Sequence, residues 1–143
     1  HLEVSANMTV RQAHNVADQV EKRIKAVDPK IHKEMTGVTN ELILKNIERI
    51  SHEGVPTVVR IPVIPNYNIV TEEAIHGIGR FAKKLEGIER IDLLPYHRFG
   101  ESKYRWLGRE YKVKANPPGK EFMNKLKEIV EGYGYKTSIG GIL

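Results

Sequence analysis

The feature that most constrains the fold is a regular alternation between short β-branched runs and longer amphipathic stretches. The run at 57–64 is apolar at nearly every position, which is typical of a strand covered by helices on both faces. Shorter runs at 90–94 and 136–139 follow it, and segments with helical spacing separate the three. This order predicts an α/β fold of βαβ units, with a largely parallel sheet of about four or five strands and helices packed over it.

Amphipathic segments supply the predicted helices. The first has apolar residues at helical spacing over 13–27, and it should end before Pro29 because a proline disfavours helical geometry in the preceding residue. Thr39 is the predicted cap of the second helix, Thr71 caps the third, and the last spans about 122–133. The predicted buried face of the second helix consists of Leu42, Ile43, Ile47 and Ile50.

The ends of the strands are the predicted location of functional residues, because such residues gather at the carboxyl ends of parallel strands. These ends are 65–67 and 95–97, and the long connection over 96–118 suggests a functional loop. His97 is suited to acid–base work or to contact with a cofactor, the alternative being a remnant of an ancestral site. The aromatic residues of the loop are expected to be its packing anchors, namely Tyr104, Trp106 and Tyr111.

Cysteine is absent from all 143 residues. Its absence excludes disulfides, thiolate-bound zinc, a cysteine nucleophile and a conventionally ligated iron–sulfur cluster. The length is that of one ordinary domain, so residues 1–143 are expected to form a single domain.

The formal net charge is +5, and basic residues stand beside acidic ones in segments such as 21–23 and 125–128. This mixture favours a solvated surface, so no nucleic-acid partner is expected. Apolar runs are too short to span a membrane and no signal peptide is visible, so we expect no membrane partner and a cytoplasmic location. An open sheet edge invites pairing with a second copy, which predicts a homodimer unless an added N-terminal strand covers that edge.

Four short sequence motifs follow one another along the chain: DPKIHKEMTGV at 28–38, RIPVIP at 60–65, DLLPYHRFG at 92–100 and LGREY at 107–111. With them, residues from about 24 to 141 resemble the C-terminal half of glycyl-radical-enzyme activating enzymes of the pyruvate formate-lyase type, in the radical SAM family. The resemblance implies a partial (β/α) barrel, S-adenosylmethionine and a [4Fe–4S] cluster held by a three-cysteine motif. Because the cysteines and the front half of that family are not found in this chain, we expect no iron–sulfur cluster and no enzyme activity.

The same resemblance implies which positions face the cofactor. Lys25 resembles the lysine of an Asp-hydrophobic-Lys motif, although Arg23 stands at the aspartate position. Asn66 stands where the family usually has glycine. The implied S-adenosylmethionine-facing residues are Lys25, Ile64, Pro65 and His97.

The first 23 residues resemble a different family through HLEV at 1–4 and AHNVADQVE at 13–21. They are similar to the cytosolic domain of cation diffusion facilitator zinc transporters, which is a ferredoxin-like αβ sandwich. The resemblance implies that His1 and His14 belong to a zinc-binding region. Two histidines make an incomplete tetrahedral site, so His14 could equally be a packed or surface residue.

The two resemblances meet near 23–25 without a linker, whereas natural fusions usually join whole domains through linkers. The leading hypothesis is therefore an engineered or recombined fold chimera with no intact native activity. One alternative is a truncated activating enzyme that retains S-adenosylmethionine binding. The other is a zinc-binding module that uses His1 and His14.

Overall fold

The computed structural model describes residues 27–54, 56–69 and 71–141. Residues 2–4, whose sequence predicts a short strand, lie outside these residues. The body of the helix predicted over 13–27 lies outside them too, as do His1, His14 and Lys25. The described elements are α1 (Pro29–Thr36), α2 (Glu41–His52), β1 (Thr57–Val63), α3 (Glu72–Ala82), β2 (Ile88–Pro95), α4 (Gly100–Trp106), α5 (Lys120–Gly132) and β3 (Thr137–Ile139).

The strands form one parallel sheet in the order β1-β2-β3. Arg60 on β1 is in register with Asp92 on β2, and Asp92 is in register with Ser138 on β3. This arrangement confirms the predicted α/β class with a parallel sheet, and the described part of that sheet has three strands. None of the described helices is long and apolar enough to cross a membrane.

The main core lies between one face of the sheet and helices α3 and α5. Alternate residues of β1 point into it, because successive side chains of a strand face opposite sides. Burial of large apolar side chains of this kind stabilises a fold by about 1.5–3 kcal/mol each. The core residues of the strands are Val59, Ile61, Val63, Ile91 and Leu93, and those of α3 and α5 include Ile75, Ile78, Ala82, Leu126 and Val130.

Helix α1 was not predicted, because Pro29 was interpreted only as the end of a preceding helix. Proline is tolerated in the first turn of a helix, where its missing N–H group would have no intrahelical partner. Asp28 caps the helix: its Oδ1 accepts hydrogen bonds from the backbone N–H groups of Lys30 at 2.8 Å and Ile31 at 3.2 Å. An aspartate followed by a proline therefore begins a helix here.

Helix α2 differs from the prediction in two respects. Asn40, not Thr39, is its N-cap residue, and the Asn40 side chain donates to the carbonyl oxygen of Val27 at 2.8 Å. The prediction that Leu42 lies on the buried face is wrong, since 69% of its surface is exposed, whereas Ile47 is buried as predicted. The predicted cap of α3 is confirmed in position, because Thr71 is its N-cap residue.

Candidate cofactor-facing site at the strand ends

The turn that follows β1 holds Ile64 and Pro65 in a fixed position. Asn68 is buried and its Oδ1 accepts a hydrogen bond from the backbone N–H of Ile64 at 2.8 Å, while its Nδ2 donates to the carbonyl oxygen of Pro62. The backbone N–H of Tyr67 donates to the carbonyl oxygen of Ile64 at 3.1 Å. Since the Asn68 side chain replaces a ladder partner, Ile64 and Pro65 are held at the edge of the sheet, half-buried.

The end of β2 lies beside this turn. The backbone N–H of Tyr96 donates to the carbonyl oxygen of Val63 at 3.0 Å, which continues the β1–β2 pairing past Pro95. The side chain of His97 is exposed, and its ring lies 4.6 Å from the ring of Phe99 with an interplanar angle of 35°. The structure therefore brings the predicted residues Ile64, Pro65 and His97 to one sheet edge, and we call these three residues the strand-end site.

Two tyrosines fasten the long loop to the strand ends. The Tyr67 hydroxyl accepts a hydrogen bond from the backbone N–H of Lys114 at 2.7 Å. The hydroxyls of Tyr96 and Tyr111 are hydrogen-bonded at 2.9 Å, and burial together with this bond raises the pKa of Tyr111 to about 12. Residues 111–114 thus lie against the two strand ends that carry the strand-end site.

The loop over 96–118 also contains helix α4, which the sequence analysis did not predict. Tyr111 is half-buried, as expected of an anchor, and packs edge-on against the exposed Tyr104, with ring centroids 5.1 Å apart. The prediction that Trp106 is a packing anchor is wrong, because 83% of its surface is exposed.

A second polar arrangement, the Asp92 cluster, joins Asp92 to Arg60, Arg90 and Ser138 on the sheet face opposite the main core. Asp92 is fully buried, and its Oδ1 accepts hydrogen bonds from Ser138 Oγ at 2.6 Å and Arg90 Nε at 3.1 Å. Arg60 Nε lies 3.6 Å from Oδ2, which has no hydrogen-bond partner within the described ranges. Two guanidinium groups therefore face one carboxylate, which leaves one excess positive charge.

Sequence reasoning missed the Asp92 cluster. Its signal was present as charged residues at alternating positions of otherwise apolar strands: Arg60 in β1, and Arg90 with Asp92 in β2. The parallel register that joins them depends on the fold and is not visible in the linear sequence.

The predicted zinc residues and the predicted lysine cannot be placed in this site. His1, His14 and Lys25 all lie outside the described residues. Over the ranges that the structure covers, no group of three His, Cys, Asp or Glu residues could hold a metal ion.

Comparison with protein families supports both sequence resemblances. Residues 1–38 match the model of the cation efflux protein, cytoplasmic domain. This match continues past the predicted junction at 23–25 and includes helix α1.

Most of the chain is similar to activating enzymes. The pyruvate formate-lyase 1-activating enzyme of Escherichia coli (strain K12) is 34% identical over 123 residues, which cover 85% of this chain and 50% of that protein. The (2S)-3-sulfopropanediol sulfolyase activating enzyme of Bilophila wadsworthia is 40% identical over 124 residues, which cover 85% of this chain and 40% of that protein. The chain thus spans half or less of the length of these curated relatives.

A solved structure agrees with these matches. A domain of pyruvate-formate lyase-activating enzyme from Bacteroides vulgatus superposes with a TM-score of 0.65 at 33% identity, covering 81% of this chain and 63% of that chain. The described fold is therefore that of part of a radical SAM activating-enzyme domain. More particularly, residues from about 24 to 141 resemble enzymes of the pyruvate formate-lyase-activating type, as predicted.

The comparisons also correct one expectation. The missing cysteines and the missing front half of the family led to the prediction that the protein is not an enzyme, and that prediction is wrong as stated. The relatives are named activating enzymes, so the chain is related to enzymes and corresponds to a part of one. The prediction failed because these absences bear on activity, whereas the similarity of the remaining residues shows the class of protein to which they are related.

Proposed function

We propose that this chain is a part of a glycyl-radical-enzyme activating enzyme and that it forms the adenosine-facing wall of an S-adenosylmethionine site. The observation that carries the proposal is the strand-end site, where Ile64 and Pro65 lie at the same sheet edge as His97. The hydrogen bond between Tyr96 N–H and the Val63 carbonyl, 3.0 Å long, fixes that juxtaposition. Ligands of parallel α/β sheets bind at this edge.

The chemistry of these residues fits an adenosyl group. Ile64 and Pro65 present half-buried apolar surface, which suits one face of an adenine ring. The His97 ring is exposed, and its nitrogens have no hydrogen-bond partner in the described part of the chain, so they can bind ribose hydroxyls. Lys25 completes the proposed set on the strength of sequence resemblance and lies outside the described residues.

The donor set does not fit an iron–sulfur cluster. In the family that the chain resembles, S-adenosylmethionine supplies a radical when it is bound beside such a cluster. These clusters are held mainly by cysteine thiolates, and none of the 143 residues is a cysteine. The proposal for this chain is therefore limited to binding and orienting the adenosyl group.

Calorimetric titration of the 143-residue chain with S-adenosylmethionine tests this proposal. We expect saturable heat that His97→Ala weakens about tenfold, which corresponds to roughly 1.4 kcal/mol. His52→Ala is the matched control, because His52 is exposed and lies on α2, away from the strand ends. Absence of heat at millimolar ligand, or equal loss in both variants, would contradict the proposal.

We further propose that the chain is a recombined chimera, in which a cation-efflux-like βα segment and the activating-enzyme part share one domain over 1–143. The support is the pair of matches to unrelated families without a linker between them. One cooperative thermal transition, with the same midpoint by circular dichroism and calorimetry, is expected of a shared core. Two separate transitions, or this exact open reading frame in a genome, would contradict a recombined single domain.

The cation efflux match favours one second candidate function, zinc binding through His1 and His14. Neutral imidazole nitrogen is a common zinc ligand, and binding would stabilise the folded state by mass action. We expect zinc to raise the melting temperature and His14→Ala to abolish the rise, whereas His52→Ala leaves it intact. An equal rise in wild type and His14→Ala would contradict this candidate.

A further inference from the structure

The positive charge of the chain is concentrated in one segment. Residues 98–114 contain six basic and two acidic side chains, which give four of the five net positive charges. Basic residues stand beside acidic ones in segments such as 21–23 and 125–128, and the segment 98–114 departs from that pattern. It comprises α4 and the loop after it, and we call it the basic–aromatic surface.

The basic side chains surround a cavity of about 350 Å³ in this surface. Arg98 is paired with Glu101, with Nε 2.5 Å from Oε1. In the part of the chain that the structure covers, Arg105, Arg109 and Lys114 line the same cavity without an ion-pair partner. Three unneutralised cations around one cavity attract anionic groups.

The cavity continues into a second one of about 400 Å³, which shares Arg109, Tyr111 and Val113 with the first. The bonds from Tyr67 to Lys114 and from Tyr96 to Tyr111 hold this lining against the strand ends. The two cavities together form one groove, and these bonds attach the groove to the sheet.

Large apolar side chains lie exposed beside the groove. Trp106 and Leu107 are 83% and 68% exposed, and they stand in sequence between the lining residues Arg105 and Arg109. Phe99 is 80% exposed. Tryptophan, tyrosine and arginine are the residue types that contribute most to protein–protein binding, so this composition is typical of a docking surface.

We propose that the basic–aromatic surface is a docking site for an acidic segment of a partner protein. Carboxylates of that segment bind Arg105, Arg109 and Lys114, and its apolar side chains cover Trp106 and Leu107. A protein is favoured over a nucleic acid because the surface exposes the aliphatic Leu107, which apolar side chains can cover but on which a base cannot stack. The proposal does not depend on binding of S-adenosylmethionine.

Fluorescence anisotropy tests this inference with the 143-residue chain and a labelled peptide of repeated Glu-Leu-Ser units. Binding should be saturable, and the double variant Arg105→Glu/Arg109→Glu should weaken it at least about tenfold. Trp106→Ser should weaken it by a similar factor, because it removes the apolar contact without changing charge. Added salt should weaken binding to wild type.

Controls separate this surface from general charge. Arg49→Glu makes the same change at an exposed residue of α2 and should leave the affinity unchanged. A peptide of repeated Lys-Leu-Ser units should not bind. Equal binding of the basic peptide, or no effect of either surface variant in chains that melt like wild type, would overturn the proposal. Tighter binding of a single-stranded oligonucleotide that displaces the acidic peptide would also overturn it.

Discussion

Ser138 Oγ donates a hydrogen bond of 2.6 Å to Asp92 Oδ1 across the β2–β3 pair. The same carboxylate accepts a bond from Arg90 and faces Arg60 on β1, so one buried side chain connects all three described strands. A buried carboxylate is costly unless it is paired and hydrogen-bonded. The Asp92 cluster therefore depends on each of its donors.

Removal of the Ser138 donor should destabilise the fold. We expect Ser138→Ala to lower the free energy of unfolding by about 1–2 kcal/mol, since a hydrogen bond to a charged group is lost and Oδ1 keeps only Arg90. Chemical denaturation measures the change. Ser102→Ala is the control, because its hydroxyl bonds the Phe99 carbonyl on the exposed α4, and it should change stability by less than about 0.5 kcal/mol. Equal effects of the two variants would show that Asp92 does not need this bond.

Gly79 of α3 lies directly beneath the Tyr133 ring. A Cβ atom at Gly79 would lie 2.5 Å from Tyr133 Cδ2, so Gly79→Ala must displace the ring and disturb its 2.9 Å hydrogen bond with His76 Nδ1. We expect a loss of about 1–3 kcal/mol in thermal or denaturant unfolding. Gly132→Ala is the control, because its Cβ would meet no atom within 4 Å, and alanine is the better helix residue.

A double-mutant cycle identifies the cause of the Gly79 effect. In a Tyr133→Ala background the ring is absent, so Gly79→Ala should become neutral or slightly stabilising. An unchanged cost in that background would mean that α3 rejects alanine for a reason other than contact with Tyr133.

Tyr111 should make stability fall with rising pH in alkaline solution. Its pKa rises from 10.0 to about 12 in the folded chain, chiefly through burial and then through the Tyr96 hydrogen bond. Between pH 10 and 12 the unfolded chain releases a proton that the folded chain keeps, so the free energy of unfolding decreases across that window.

Denaturant unfolding of wild type and Tyr111→Phe across that pH window measures this contribution. The free energy of unfolding of the variant should fall less steeply with pH than that of wild type. Part of the fall should remain, because burial also raises the pKa of Tyr135. Parallel curves for wild type and Tyr111→Phe would contradict the assignment.

Asn66 has left-handed backbone geometry, with φ of 63°. Asparagine tolerates this region better than residues with a plain Cβ, and glycine tolerates it best. We expect Asn66→Ala to cost roughly 1 kcal/mol of unfolding free energy and Asn66→Gly to be neutral or stabilising. Asn116→Ala, at an exposed loop position without positive φ, should have little effect. If Asn66→Gly lowered the free energy of unfolding as much as Asn66→Ala, the Asn66 side chain and not its backbone angle would be what stabilises the fold.

The sheet and its helices could be predicted because periodicity encodes burial directly. The β-branched run at 57–64 became β1, and Ile75 and Ile78 of α3 are buried as their spacing requires. Helix α1 could not be separated from a terminating proline, because Asp28 and Pro29 suit both a turn and a helix start. Leu42 is exposed although its spacing fits the apolar face, since neighbouring elements decide which part of a face is covered.

The strand-end site was predicted in part. Its location at the carboxyl ends of the strands follows from parallel topology, and its residues Ile64, Pro65 and His97 followed from family resemblance. The clamp by Asn68, the tyrosine bonds to the long loop and the Asp92 cluster were missed, because each joins residues that are distant in sequence. The charge of residues 98–114 was visible in the sequence, but the cavity that its basic side chains surround depends on the fold.

The central claim is that the strand-end site contacts an adenosyl group, and methyl NMR of isoleucine-labelled protein tests it most directly. Titration with S-adenosylmethionine should shift the Ile64 methyl resonance through the ring current of adenine, with Ile64→Val identifying that signal. The methyl of Ile88, the first residue of β2, lies at the opposite end of the sheet from the strand-end site and should stay in place. Saturable movement of the Ile64 signal that His97→Ala weakens is the predicted result. Movement of neither signal, or equal movement of both, would contradict the account.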